Sequence, residues 1–204
     1  MQPIKVFFCE ETPFIEVWLR RFTFSKAGEV CQHDATSAGA IGRFEWPVRS
    51  YLDGDMTDVS RDHPLWPTHC EKCGYAFGPA DEWQAGQRRV MRRTDTGEEM
   101  PVHRHLGDLP VGAAYECWWE KRRVGPDGRS LAVNTPGGQW NIDHRASNCT
   151  MADDQVHRCW VRHGRPEDGT LHVDKNGVTC AAGAGSIVAG NFHGFLHGGF
   201  LTSC

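Results

Sequence analysis

Apolar and polar positions alternate along this chain in short runs, and no stretch keeps a helical period over several turns. A period of two places apolar side chains on one face of a strand. Phe14–Phe24 (FIEVWLRRFTF) is apolar-rich and β-prone. Arg43–Val48 reads as a strand that Pro47 confines to a sheet edge. Ala35–Gly42 is small and flexible and reads as a loop. Asp53–Pro67, with four Asp and two Pro, reads as a surface connection. Asp81–Arg93 (DEWQAGQRRVMRR) fits either a helix, acidic at its start and basic at its end, or a strand after a turn.

From Ala114 the pattern becomes a meander. Ala114–Val124, Ser130–Thr135 and Gln139–Asp143 are separated by the turns Gly125-Pro126-Asp127-Gly128 and Pro136-Gly137-Gly138. Trp118 and Trp119, adjacent on a strand, would face opposite sides. His157–His163 is a further strand candidate. Thr170–Lys175 and Val178–Cys180 flank Asn176-Gly177, a strong hairpin signal. The last 24 residues hold six glycines with Phe192, Phe195 and Phe200 among them, which predicts tight turns and short strands. The expected fold is mostly β: antiparallel sheets or a meander with a zinc-ribbon-like knuckle and few short helices. The expected organisation is an N-terminal β segment (1–60) packing on a zinc-stapled β domain (61–204).

Composition narrows the function. The 204 residues carry a net charge of −4, where a general nucleic-acid binder usually shows a basic excess. Arg88, Arg89, Arg92 and Arg93 form a local basic patch, expected as a solvated face, with an anion contact as the alternative. No apolar run approaches the roughly 18 residues of a membrane span. The first eleven residues do not have the pattern of a signal peptide, so the expected setting is the cytoplasm.

Nine cysteines, an odd number without an export signal, argue for metal ligands, buried thiols or a nucleophile rather than a disulfide scaffold. Cys9, Cys31 and Cys117 are expected as core fillers. Cys70-Glu71-Lys72-Cys73-Gly74 carries the most specific chemistry. Two thiolates two residues apart grip one Zn²⁺ from a tight turn, and Gly74 lets the backbone turn back. A redox dithiol is the rival reading, but the strand-then-helix setting of that motif is absent from the pattern. Such a pair is half of a tetrahedral site. Cys149 and the pair His157 and Cys159 are the expected remaining donors, with one of the pair binding and the other supporting it. His69 is a weaker substitute, and His103 with His105 is expected to be surface histidine.

The order Cys-x-x-Cys-Gly, a Trp-rich meander, Cys149, then His157-Arg158-Cys159-Trp160-Val161-Arg162-His163-Gly164 resembles uncharacterised zinc-ribbon-containing β proteins. The closing segment from Val173 to Ile187 is similar to hypothetical proteins of tailed phages and prophages. The resemblance covers roughly residues 60–200 and implies zinc, a β-rich fold and a viral setting, without an activity. It implies a zinc-binding structural or interaction protein with protein partners, among them virion subunits or copies of itself. The gap from Cys149 to His157 is longer than in the ribbon-type pattern.

Two catalytic alternatives remain. Cys180, before a Gly-rich turn, resembles a nucleophile that His193 or His197 could serve as base, in a zinc- or cysteine-dependent hydrolase. Asp143-His144 resembles the hairpin end of a ββα-metal nuclease, which needs a helix to follow.

Overall fold

The alternating run that begins after Val6 folds as a single long strand, and most other strands are three to six residues long. The computed structural model of the chain describes residues 2–22, 31, 33–37, 39–45, 62–81, 83–102, 105–146, 148–151, 153–155, 157–175, 180 and 185–204. In order the strands are β1 (Ile4–Lys5), β2 (Phe7–Phe22), β3 (Asp34–Thr36), β4 (Gly42–Glu45), β5 (Trp83–Arg93) and β6 (Glu99–Val102). A 3-10 turn over Leu106–Asp108 precedes β7 (Ala113–Glu116), β8 (Leu131–Thr135), β9 (Gly138–Asn141), β10 (Val161–His163) and β11 (His172–Asp174). The chain closes with β12 (Ile187–Ala189), β13 (Phe192–His197) and β14 (Phe200–Ser203). The protein is mostly β, as the alternation predicts. Among the described residues no helix is long and apolar enough to cross a membrane.

The chain divides into two compact units. The smaller comprises Glu11–Met91 and Pro101–Arg104, the larger Met1–Glu10, Arg92–Met100 and His105–Cys204. The boundary expected at 60/61 lies outside the described residues, and this division cuts the chain elsewhere.

In the smaller unit, Ile15, Val17 and Leu19 are buried on one face of β2, with Glu16 and Trp18 half-buried between them. That is the period-two pattern acting on a half-buried strand. β2 pairs antiparallel with β4, Ile15 opposite Phe44, and with β3, Arg21 opposite Ala35. Part of the expected loop 35–42 is therefore strand. Asp81–Arg93 resolves to the strand alternative as β5, and Thr12 Oγ1 donates to Val90 O at 2.8 Å. The basic patch is paired internally. Arg89 meets Glu11 at 3.6 Å, and the Arg88 guanidinium lies 3.8 Å from the Trp18 ring. In the larger unit Arg92 pairs with Glu10, and Arg93 with Asp95.

In the larger unit, the start of β2 runs parallel to β7, and β7, β8 and β9 form the expected antiparallel meander. A second sheet has the order β1-β14-β13-β12. β10 pairs antiparallel with β11, the partner that the Asn176-Gly177 signal had assigned to Val178–Cys180; residues 176–179 lie outside the described residues. Trp118 and Trp119 sit in a turn after β7, edge to face, rather than on a strand. The core gathers Phe8, Leu131, Val133, Trp140, Ile142, Trp160, Leu171, Val173, Ile187, Leu196 and Leu201. Trp140 and Trp160 meet edge to face at 5.2 Å, the arrangement their ring quadrupoles prefer.

A buried charge network crosses this unit. The Arg162 side chain is 2% exposed and Asp143 1%. Arg162 Nε donates to Asp143 Oδ1 at 3.1 Å, its terminal nitrogens grip both oxygens of Asp127, and Nη2 also donates to Arg129 O. Asp143 accepts a second bond from Leu131 N at 2.9 Å. Gly125 makes room for this: a Cβ there would lie 1.8 Å from Arg162 Nη2. Burial pushes the Asp143 carboxyl up against the pull of Arg162. At Asp127 burial also opposes ionisation, but hydrogen bonds from Arg162 and Arg129 outweigh it and hold the carboxyl well below its ordinary range.

Removing Asp143 leaves two buried donors, Arg162 Nε and Leu131 N, without their acceptor, and breaking a buried charged pair costs about 3–5 kcal/mol. Asp143→Ala is therefore expected to lower unfolding free energy by about that amount in urea titration; a loss under about 1 kcal/mol would show that the pair carries no stability. Asp127 has a depressed folded value, so its contribution is present above the ordinary carboxylate value of 3.8 and is lost as pH falls below it. Asp127→Asn should flatten the acid limb of the stability curve in that range, as followed by circular dichroism.

Candidate metal centres

The segment Cys70–Gly74 folds as a tight turn. Gly74 N donates to Cys70 O at 2.9 Å, closing the turn, and Gly74 has φ +73°, the left-handed region a Cβ disfavours. Cys70 N then donates to Tyr75 O, and His69 bridges to Ala76, so a small hairpin presents both thiols. The donors that meet them are Cys31 and His33, just before β3. Cys31 Sγ lies 3.9 Å from Cys70 Sγ, and His33 Nδ1 lies 3.3 Å from Cys73 Sγ. The His33 ring stacks on Tyr75 at 4.0 Å and 12°. Glu71 accepts from Thr36 N at 2.7 Å, tying the knuckle to β3.

A second group lies in the larger unit. Cys149, His157, Cys159 and Cys180 converge with all four donor atoms within 4.8 Å of one another, as do Cys31, His33, Cys70 and Cys73. Cys159 Sγ is 3.6 Å from His157 Nε2 and 3.5 Å from Cys180 Sγ. Two backbone N–H groups point at its sulfurs: Ala146 N to Cys159 Sγ at 3.2 Å, and Met151 N to Cys149 Sγ at 3.4 Å. Donors of this kind favour thiolate over thiol. Asp154 fixes the approach by accepting from His157 N through Oδ1 at 3.1 Å.

Both groups have the composition and spacing of a tetrahedral ion site. With bonds of about 2.3 Å to sulfur and 2.0–2.1 Å to nitrogen, neighbouring donors on one ion sit about 3.5–3.8 Å apart. The four separations given above run from 3.3 to 3.9 Å, and all donor atoms of each group lie within 4.8 Å of one another. Without a cation the thiols resist ionisation. Burial, with hydrogen bonds from Cys73 and Cys70, pushes Cys31 up to about 11. Burial pushes Cys159 up to about 12, the Ala146 N–H opposing and the Cys149 and Cys180 thiols adding. A divalent ion would supply the charge that stabilises the thiolates.

Cys70 and Cys73 thus stand in one group, and Cys149, His157 and Cys159 in the other. The single site joining all five is replaced by two, one in each unit. His157 and Cys159 stand together as donors rather than as ligand and support. Cys180 is the fourth donor of its group. Cys31, expected as a core filler, and His33 complete the first. The missed signal was spacing: Cys31-Gln32-His33 mirrors His157-Arg158-Cys159, a Cys and a His with one residue between them in each case. Cys9 and Cys117 are fillers as expected, 1% and 2% exposed, with thiols pushed by burial up to about 12.

The other candidates are placed elsewhere. His69 Nδ1 lies 2.8 Å from Thr68 Oγ1, and His103 lies outside the described residues. His193 Nε2 meets Ser186 Oγ at 3.1 Å, and His197 packs on His172. Burial lowers the His144 imidazole against the pull of Glu120, 3.4 Å away, and no helix follows it among the described residues. Beside it a cleft of about 520 Å³ is lined by Trp140, Asn141, His144, Asn148 and Trp160. Comparison with protein-family models, curated proteins and solved structures finds no match to this chain.

Proposed function

We propose that this is a non-enzymatic structural or interaction protein, stapled by two zinc ions in closed sites. The ligand count is the observation that carries this reading. Each group supplies four protein donors, three Cys and one His, the Cys₃His set of structural zinc. A catalytic zinc keeps a position for water or substrate, which four protein donors leave no room for. Thiolate-rich tetrahedral donors select zinc or iron–sulfur chemistry over magnesium, calcium or manganese. The partners proposed are proteins, other virion subunits or copies of this chain, following the resemblance to phage and prophage proteins. Val188, Phe195 and Phe200, each more than 40% exposed on β12, β13 and β14, supply apolar surface for such contacts.

Elemental mass spectrometry of the purified protein is expected to give two zinc per chain. Cys70→Ser should leave one, and Cys159→Ser should leave one. A single zinc lost in both variants would restore the joint site, and zinc absent from the wild type would make both groups thiol clusters. A zinc held by three protein donors and water, read by X-ray absorption, would favour the hydrolase alternative.

The two ions should leave at different rates. Cys73 is exposed, whereas Cys159 and His157 are buried on the core. With a chelator in excess, one equivalent is expected to leave quickly while the circular dichroism of the larger unit is retained. The second should leave only as that unit unfolds. Simultaneous release of both would contradict the burial argument.

A further inference from the structure

A third constellation lies in the larger unit, built from different donors. His163 on β10 and His172 on β11 are direct cross-strand partners. Asp174 follows His172 by two residues on β11 and so shares its face. Its carboxylate reaches both imidazoles: His163 Nε2 lies 3.2 Å from Oδ1, and His172 Nε2 lies 3.4 Å from Oδ2. His197, the last residue of β13, places its ring 4.1 Å from that of His172. We infer that His163, His172 and Asp174, with His197 beside them, form a site for a first-row divalent ion bound through nitrogen and oxygen.

Three observations carry this. The donor set is two imidazoles and a carboxylate with a third imidazole in reach, which suits zinc, nickel, copper or iron(II). With metal–ligand bonds of about 2.0–2.2 Å, two donors on one ion stand roughly 3.0–3.5 Å apart, which is the separation of each Nε2 from the carboxylate. The side chains of His163, Asp174 and His172 are 46%, 35% and 26% exposed, so an ion enters without unfolding and keeps solvent in its remaining positions. The rings of His163 and His172 stand 5.8 Å apart, centre to centre, so an ion held by both requires them to turn about their Cβ–Cγ bonds. The site is open where the thiol groups are closed. It does not depend on them, since no donor is shared.

The test is a Ni²⁺ titration of the purified full-length chain by calorimetry, with resident zinc measured before and after. NMR of the histidine rings reports which imidazoles Ni²⁺ broadens. One Ni²⁺ per chain is expected beyond the resident metal, with the signals of His163 and His172 broadened first. His172→Gln, and separately the more exposed His163→Gln, should each weaken binding at least about tenfold while leaving zinc content unchanged. His193→Gln, on β13 with His197 but outside the group, should bind as the wild type does. An absence of Ni²⁺ binding, or equal affinity in all three variants, overturns the proposal. So does Ni²⁺ uptake matched by zinc release, which would place the ion in the thiol groups.

Discussion

The guanidinium of Arg162 must stay paired for the larger unit to hold its shape. It sits with almost no solvent between Asp143, which closes the meander after β9, and Asp127, in the turn before β8. A cation in that position is tolerated only because its donors are matched by carboxylate and carbonyl oxygens. The consequence reaches the thiol group from two sides. Arg162 follows Cys159 and Trp160 along the chain, and Asp143 precedes His144, whose carbonyl accepts from Cys159 N at 3.3 Å. One charge network therefore fixes both the segment that carries Cys159 and the loop that leads to Cys149. The glycine at 125 belongs to the same constraint, since any side chain there would meet the guanidinium.

Around that network, regular structure and side-chain chemistry divide the work. β10, β11 and β12 are three residues each, shorter than the five or six usual for strands. Between β9 and β10 the described residues form turns, yet Ile142, Asp143, His157, Cys159 and Trp160 are buried there. Buried loop backbone needs partners. Here the sulfurs of Cys149 and Cys159 take two N–H groups, and Asp154 takes a third. The thiol group thus satisfies backbone as well as offering donors to an ion.

What the sequence made legible followed local rules. The meander β7–β9 was readable because alternation and the Gly125–Gly128 turn agree with each other, and the knuckle because Cys70, Cys73 and Gly74 are contiguous. The division of donors was not readable, because it depends on which distant segments meet. Cys31 reaches Cys70 across 39 residues, and Cys180 reaches Cys159 across 21. No periodicity encodes such a meeting. The strand β5 shows the same limit from another side. Its basic end suits a helix dipole as well as it suits Glu10 and Glu11, and the sheet that places β5 between β6 and β2 is assembled from distant segments. β11 pairs with β10, where His163 and His172 face each other, a meeting of segments that the local Asn176-Gly177 signal does not encode.

Loop-closure entropy indicates what two metals would do for such a chain. A cross-link removes freedom from the unfolded state in proportion to the logarithm of the loop it closes, and each doubling adds only about 0.6 kcal/mol. The two closures, of 42 residues from Cys31 to Cys73 and 31 from Cys149 to Cys180, are therefore nearly equal on that ground. Their difference lies in the folded state. One group rests on the core through a fully buried Cys159, while the other ends on an exposed Cys73 held by a hairpin and a stacked His33. On the proposed reading, zinc in the first is part of the core of its unit. Zinc in the second fastens the knuckle to the segment before β3, and the same chemistry performs two mechanical tasks because burial differs where the ligand geometry does not.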